Sequence, residues 1–195
     1  MPKDIDPEAR LRDIADATVR VARASGAHAV TIRAVARELG GSTTLVTNYL
    51  PSRAALILNV LDRASARWRA DYEHIAAGLS PLQRFEALVA GEPDPDETEA
   101  VLRALILEIV ANADVEATLR DALRRESEAF REALRRTAAE AGFADADLAA
   151  DLGYLLLRGA YFANAEDPTR WATRRTREVA LAALRALPRT PRAPR

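Results

Sequence analysis

Cysteine is absent from this chain of 195 residues, and histidine occurs only twice. The absence of thiols excludes disulfides, thiolate metal ligands and cysteine nucleophiles. His28 and His74 are then the only imidazoles that could bind a metal, which is fewer than a structural zinc site needs. We therefore expect neither a metal site nor a cofactor.

Long apolar runs are missing as well. No stretch approaches the roughly 18 uninterrupted apolar residues of a membrane span, and the N-terminal Met-Pro-Lys-Asp-Ile-Asp lacks the apolar segment of a secretory signal. These two absences predict a cytoplasmic protein.

Catalytic motifs are also missing from the sequence. We find no Gly-rich phosphate loop, no G-x-S-x-G elbow, no metal-binding histidine pair and no evident pairing of a nucleophile with a base. The sequence therefore predicts a protein that is not an enzyme.

Helix-forming residues, in contrast, are abundant. Ala, Leu, Arg and Glu dominate, whereas β-branched runs are rare and Asn-Gly and Asp-Gly hairpin signals are absent, so we predict an all-α fold. Glycines, prolines and capping residues divide the chain into nine predicted helices. Their ranges are 7–25, 32–39, 43–50, 53–77, 81–90, 97–111, 115–141, 145–165 and 169–187.

The second and third predicted helices surround the turn Gly40-Gly41-Ser42 and form a helix-turn-helix, in which the second helix can enter a DNA major groove. Thr31 and Ser42 are placed to cap the two helices. A rotation of about 100° per residue gives the second helix a polar and an apolar face. The polar face contains Thr43, Thr44, Thr47 and Asn48, and the apolar face Leu45, Val46, Tyr49 and Leu50.

The polar face suits the reading of bases. Asparagine can bond an adenine edge through two hydrogen bonds, and threonine offers a hydroxyl and a thymine-facing methyl. Residues 1–53 hold eight Lys and Arg against six Asp and Glu, a net charge of +2, which permits DNA binding without arguing for it. Taken alone, the segment could also be a structural helical hairpin.

The pattern extends over three segments that together span more than forty residues and need no insertion or deletion to align. They are IADATVRVARASG from Ile14, VTIRAVARELGGS from Val30, and TTLVTNYLPSRAAL from Thr43. In this register the chain resembles the tetracycline-repressor (TetR) family of bacterial transcriptional regulators. The matching positions are Gly26, Thr31, Ala36, Gly40, Ser42, Tyr49, Ser52, Arg53 and Leu56.

The resemblance implies a DNA-binding domain at residues 1–53 and a regulatory domain at 54–187 that binds a ligand and dimerises. Residues 188–195 lack apolar periodicity and are predicted to be a disordered tail. The positions that touch DNA in the family correspond to Thr31, Ser42, Thr43, Thr44, Thr47, Asn48, Tyr49 and Arg53. Thr31 and Arg53 are expected at phosphates, and the threonines and Asn48 of the third helix at bases.

The chain departs from the family pattern at four positions, so the operator sequence does not follow from the resemblance. They are Gly41, Thr47, Leu50 and Pro51. Gly41 and Leu50 in particular remove apolar volume that the family usually places beside the recognition helix.

The last two predicted helices match the pair through which the family dimerises, although packing within the monomer is an alternative for their apolar stripes. The predicted interface contains Leu148, Leu152, Leu155, Leu156, Gly159, Ala160, Ala180, Ala183, Leu184 and Leu187. Gly153 and Gly159 are easier to explain if another helix approaches them closely. A homodimer would present two recognition helices about 34 Å apart to a palindromic operator in double-stranded DNA.

A small-molecule effector that releases the DNA completes the expected function. Trp68, Tyr72, Phe130 and Tyr154 are candidate pocket residues with Glu108 as a polar anchor, although aromatic residues at helical spacing are more often core. Residues 114–142 together with Arg158 weakly resemble choline-responsive members of the family, whose ligand we do not carry over. The alternative function is a helical dimer that binds a small molecule or a protein, with weak or no specific DNA binding.

Overall fold

The computed structural model describes residues 6–90, 97–111 and 117–190. Within these ranges it contains nine α-helices and no β-strand, which confirms the predicted all-α fold. The helices are α1 (Pro7–Ser25), α2 (Ile32–Glu38), α3 (Thr43–Thr47), α4 (Arg53–Ala76), α5 (Pro81–Ala90), α6 (Glu97–Ala111), α7 (Ala117–Ala141), α8 (Ala146–Glu166) and α9 (Thr173–Arg185). In the same part of the chain, no helix combines the length and hydropathy that would let it cross a membrane.

Aspartates cap the starts of two helices. The Asp6 carboxylate accepts a hydrogen bond from the Glu8 amide at 3.0 Å before α1, and Asp145 accepts one from the Leu148 amide at 2.9 Å before α8. Asp167 instead holds a separate turn, because its carboxylate accepts from the Arg170 amide at 2.9 Å. This turn explains why α9 begins at residue 173 and not at 169 as predicted.

The sequence predicts only a break at Gly26, but the structure adds a short 3-10 helix, Ala27–Ala29, immediately after it. The backbone of Gly26 has φ +85°, which is the left-handed region that glycine tolerates best. The extra turn carries the chain from α1 to Val30, whose side chain is completely buried.

The described residues pack as two compact units. The first is drawn from Met1–Trp68 and Asp96–Arg124. In its core, side chains of the three N-terminal helices and the first half of α4 pack against those of α6 and of the start of α7. Its largest fully buried side chains are Ile14, Val30, Val35, Val46, Leu56, Ile57, Leu102, Leu105 and Leu119. The predicted functional boundary at residue 53 coincides with the start of α4 and stays a prediction.

The second unit is drawn from Arg69–Pro95 and Arg125–Arg195. Phe85 of α5 is completely buried in its core and lies against Phe143, with ring centroids 5.0 Å apart and planes tilted by 58°. Leu134 of α7 and Leu184 of α9 complete this core with almost no exposure.

Residues 188–190 belong to the second unit and do not behave like the disordered tail predicted for them. Pro188 accepts a backbone hydrogen bond from Ala144 at 3.1 Å, and Thr190 donates one to Gly142 at 2.9 Å. Arg189 forms an isolated antiparallel bridge with Phe143 and lays its guanidinium over that ring. The rest of the predicted tail, residues 191–195, lies outside the described residues.

Gly153 marks a close approach of α8 to α5. A Cβ added at this position would lie 2.7 Å from Cγ2 of Val89 and 3.6 Å from the Phe85 ring. The predicted close approach is therefore confirmed for Gly153, where the neighbouring helix belongs to the same chain. At Gly159 an added Cβ would meet nothing within 4 Å among the described residues.

Gly153→Ala is expected to destabilise the protein although alanine is the better helix former. The gain in helix propensity is about 1 kcal/mol, whereas overpacking a core costs about 1–3 kcal/mol. Val89 is stiff at χ1 and cannot easily turn Cγ2 away. We expect a net loss of about 1 kcal/mol in chemical unfolding, and a smaller loss in a Val89→Ala background. A rise in the unfolding midpoint would show that the contact is not tight.

Candidate nucleic-acid interface

The turn between α2 and α3 is fixed by glycine. Gly40 has φ +66°, its amide donates to Arg37 at 3.0 Å, and the Gly41 amide donates to Ala36 at 2.9 Å. These two backbone bonds form a Schellman motif, which ends α2 and satisfies two of its last carbonyls. The motif sets the direction in which the chain enters α3.

The faces of α3 are the ones predicted from its periodicity. Val46 is completely buried in the first unit, and Leu45, Tyr49 and Leu50 are partly buried against the same core. The four polar residues of the other face are all exposed: Thr43, Thr44, Thr47 and Asn48. Regular α-helix ends at Thr47, and the Tyr49 and Leu50 amides both donate to the Val46 carbonyl and continue the turn.

The two predicted caps have different outcomes. Thr31 caps α2, because its hydroxyl oxygen accepts from the Ala34 amide at 3.1 Å. Ser42 occupies the position before α3, but its side chain makes no capping hydrogen bond, so the prediction of a Ser42 cap was wrong. Both side chains are exposed beside the polar face of α3.

Leu45 takes up part of the volume that Gly41 gives up. A Cβ added at Gly41 would lie 3.1 Å from Cδ1 of Leu45, so the leucine covers the place where a larger residue would project. The departure from the family pattern at this position is therefore compensated by a neighbour on α3 itself.

Arg53, the first residue of α4, faces inward. Its Nε donates to the Val30 carbonyl at 3.0 Å, and Nη2 donates to the Ala27 carbonyl at 3.3 Å and to the Glu108 carboxylate at 2.7 Å. The Arg53 and Glu108 side chains are only 27% and 23% exposed. The resemblance places Arg53 at a phosphate, but in this structure its guanidinium joins α4 to α6 and to the segment before Thr31.

Two other arginines of the helix-turn-helix differ from Arg53 because their side chains are exposed. Arg33 and Arg37 are exposed one turn apart on α2, and within the described part of the chain neither has an ion-pair partner. Glu38, the acidic neighbour of Arg37, pairs instead with Arg20 at 2.6 Å. Both side chains are therefore accessible to solvent on α2 of the helix-turn-helix.

Comparison with known sequences finds two transcriptional repressors that share part of this sequence. The HTH-type transcriptional repressor KstR from Mycobacterium tuberculosis is 34% identical over 103 residues, and so is KstR from Mycolicibacterium smegmatis. The match covers 50% of this chain and 47% and 50% of those proteins, so it spans about half the length of the curated relatives. No protein-family model matches the chain.

Comparison with solved structures covers almost the whole chain. A TetR transcription regulator from Haloarcula marismortui matches with a TM-score of 0.78 and 21% identity. The match covers 92% of this chain and 98% of the Haloarcula chain. The chain has the TetR-family fold. The fold that the sequence resemblance implies is thereby confirmed.

Two other solved structures match this chain over a similar extent. A transcriptional regulator from Rhodococcus sp. Rha1 matches with a TM-score of 0.79 and 17% identity over 94% of this chain and 96% of its own. A protein from Saccharomonospora viridis, solved in complex with choline, matches with a TM-score of 0.80 and 20% identity over 93% and 97%.

The last two helices of this TetR fold expose a narrower apolar face than predicted. Leu148, Leu155 and Phe162 follow one another at intervals of seven on α8 and are 53%, 64% and 58% exposed. Ala180 and Leu184 of α9, predicted in the dimer interface, are 5% and 1% exposed and lie in the core of the second unit. Their assignment to an interface was therefore wrong.

Most of the other predicted interface residues are partly buried, between these extremes. Leu152, Leu156 and Leu187 are partly buried against the core of the second unit. Ala160 and Ala183 are also partly buried, and Gly159 is exposed. Phe162, which the sequence prediction leaves out of the interface, continues the exposed stripe because it follows Leu155 by two helical turns.

The residues predicted to hold a ligand are only partly brought together. Phe130 and Tyr154 are neighbours, with ring centroids 6.4 Å apart. Tyr72 donates to the Arg84 carbonyl at 3.4 Å, and burial raises the pKa of its phenol. Trp68 packs against the core of the first unit, and Glu108 is occupied by Arg53.

Proposed function

We propose that this chain is a DNA-binding transcriptional regulator that reads a palindromic operator as a homodimer and is released by a small-molecule effector. The observation that carries the proposal is the exposed, uncharged polar face of α3, held in place by the buried Val46 and the Gly40 turn. The similarity to the KstR repressors supports it and does not favour the alternative of a binding module without DNA affinity.

The contacts follow from chemistry and exposure. Thr43, Thr44, Thr47 and Asn48 would meet base edges, where amide and hydroxyl groups discriminate between bases without the strong hydration of a charge. The Thr31 hydroxyl uses its oxygen for the cap of α2, so its hydrogen stays available for a phosphate. Ser42 and Tyr49 would add contacts to the DNA backbone at the two ends of α3. Arg33 and Arg37 would supply positive charge for phosphates.

The homodimer is proposed to form through the exposed stripe of α8. Large apolar side chains exposed in a row along one helix are unusual on a monomer surface and are typical of an interface. A two-fold axis near Leu155 would repeat the stripe on both subunits and give the dimer two copies of α3.

A salt titration tests DNA binding directly. Fluorescence anisotropy on a mixed duplex pool should show an affinity that falls with salt, with a log–log slope of about −0.9 for each phosphate neutralised. Enrichment and sequencing of the bound fraction should then yield a palindrome with half-sites about one helical turn apart. Flat or absent binding at low salt would favour the alternative function.

Substitutions in the helix-turn-helix should distinguish residues that recognise bases from residues that contact phosphates. Asn48→Ala is expected to relax the preference at one base position in each half-site, at a cost of about 1–3 kcal/mol on the preferred operator. Arg33→Ala should weaken all sequences alike and reduce the salt slope by about 1. If both variants retained the wild-type sequence profile and slope, the assignment of the interface would be wrong.

A further inference from the structure

We propose that the effector carries a carboxylate and that Arg158 on α8 binds it, in a site that Tyr154, Tyr161 and Phe130 border. This inference rests on the proposed function, whose effector it assigns to a chemical class. The observation that supports it is the set of contacts around the Arg158 guanidinium in the second unit.

Arg158 is partly buried and lies against two aromatic rings of its own helix. Its guanidinium carbon is 5.3 Å from the ring centroid of Tyr154 and 6.0 Å from that of Tyr161. These residues are four before and three after Arg158, so all three side chains project from one side of α8. The remaining contact is long: Nη2 lies 3.4 Å from the Ser127 hydroxyl of α7.

Most of the donors of this guanidinium are unused. A guanidinium has five N–H groups, and among the described residues Arg158 has no carboxylate partner. Nearby arginines of the same unit are paired, Arg131 with Asp151 and Arg135 with Glu132. A partly desolvated cation that lacks an anion is costly, and a ligand carboxylate would satisfy it through two parallel hydrogen bonds.

The neighbouring surface suits an apolar body. Phe130 of α7 lies beside Tyr154, with ring centroids 6.4 Å apart and planes tilted by 49°. Phe130 therefore extends the aromatic surface that Tyr154 and Tyr161 form beside Arg158 onto a second helix. A ligand with a carboxylate at one end and an apolar or aromatic body could use both features at once.

The same arrangement disfavours a quaternary ammonium at this place. Aromatic faces attract such cations, but here the faces of Tyr154 and Tyr161 already meet a positive group of the chain itself. A second cation would be repelled. The site therefore differs in sign from one that would take choline, the compound present in the Saccharomonospora viridis structure.

Probes of opposite charge test the inference on the full-length, DNA-free protein. Isothermal titration should show that 4-phenylbutyrate or decanoate binds, and that choline and 4-phenylbutyltrimethylammonium do not compete. Arg158→Gln should weaken binding of the carboxylate about ten- to hundredfold, the range expected for losing a charge-assisted hydrogen bond. Arg158→Lys keeps the positive charge, so its affinity for the carboxylate should lie between those of the wild type and Arg158→Gln. Circular dichroism and thermal unfolding establish that each variant is folded.

Arg170→Gln is the matched control, because Arg170 also lies over an aromatic ring, that of Trp171 at 5.7 Å, but is exposed. It should bind the carboxylates as wild type does. The inference is overturned if neither carboxylate binds, if Arg158→Gln binds them unchanged, or if only the cations bind.

DNA binding is measured separately, so the two proposals can fail independently. A protein that binds operator but no carboxylate loses only this inference, and one that binds carboxylate through Arg158 but no DNA loses the regulator function. If both hold, the carboxylate should lower operator affinity in the wild type and have a weaker effect on Arg158→Gln.

Discussion

Leu155→Glu should convert the dimer into a monomer and lower operator affinity more than about a hundredfold. The leucine is the most exposed member of the α8 stripe, and a two-fold interface would bring two glutamates into one apolar contact. Burying unpaired carboxylates there costs far more than the interface gains. Once the subunits part, the two recognition helices no longer bind as one unit, which removes an avidity of about 10²–10⁴.

Light scattering after size exclusion reports the mass, and anisotropy on full and half operators reports the affinity. The half operator, which engages one recognition helix, should bind the variant and the wild type equally. Ile75→Glu is a matched control, because Ile75 is 52% exposed on α4 and lies outside the stripe. A dimeric Leu155→Glu with normal operator affinity would place the interface elsewhere.

Arg53→Met should lower the free energy of unfolding by about 1–3 kcal/mol, the cost of removing a charged donor from partly buried acceptors. The substitution removes the Arg53 donor from the Glu108 carboxylate and from two backbone carbonyls, those of Ala27 and Val30. Adding Glu108→Leu should recover part of the loss, because an apolar pair can replace a buried ion pair.

The double variant also decides between two roles for Arg53. If the guanidinium acts only inside the first unit, operator affinity should recover together with stability. If it also contacts a phosphate, stability should recover while affinity and the salt slope stay reduced. The structure leads us to expect the first result. Arg20→Met, which breaks the pair with Glu38 at side-chain exposures of 53% and 38%, should cost less than about 1 kcal/mol.

Local periodicity was enough to predict α3. An amphipathic helix that lies on one core translates sequence spacing directly into burial, so Val46 and Asn48 fell on the expected sides. The Thr31 cap was predictable for a similar reason, since its partner is three residues away. The Ser42 cap was not, because the same residue type adopts a side-chain direction that nothing in the local sequence distinguishes.

Contacts between distant segments had no such signal. Glu108 is separated from Arg53 by 55 residues. Every residue has a backbone carbonyl, so the residue types of Ala27 and Val30 do not identify them as acceptors. The interface prediction failed for Leu184 because α9 has a single apolar stripe, and sequence alone does not say whether that stripe meets its own subunit or a partner. On α8, which is apolar on several sides, only the position of the core singles out Leu155 and Phe162.

The burial of α6 beside the N-terminal helices bears on how the protein could be re-engineered. Leu102 and Leu105 are 1% and 0% exposed in the same core as Ile14 and Val46. A fragment cut after residue 53, or a chimaera that carries only those residues onto a foreign regulator, would lose that covering and expose apolar surface to water. A transplantable operator-reading module therefore has to bring α6 along, with the Arg53–Glu108 pair intact.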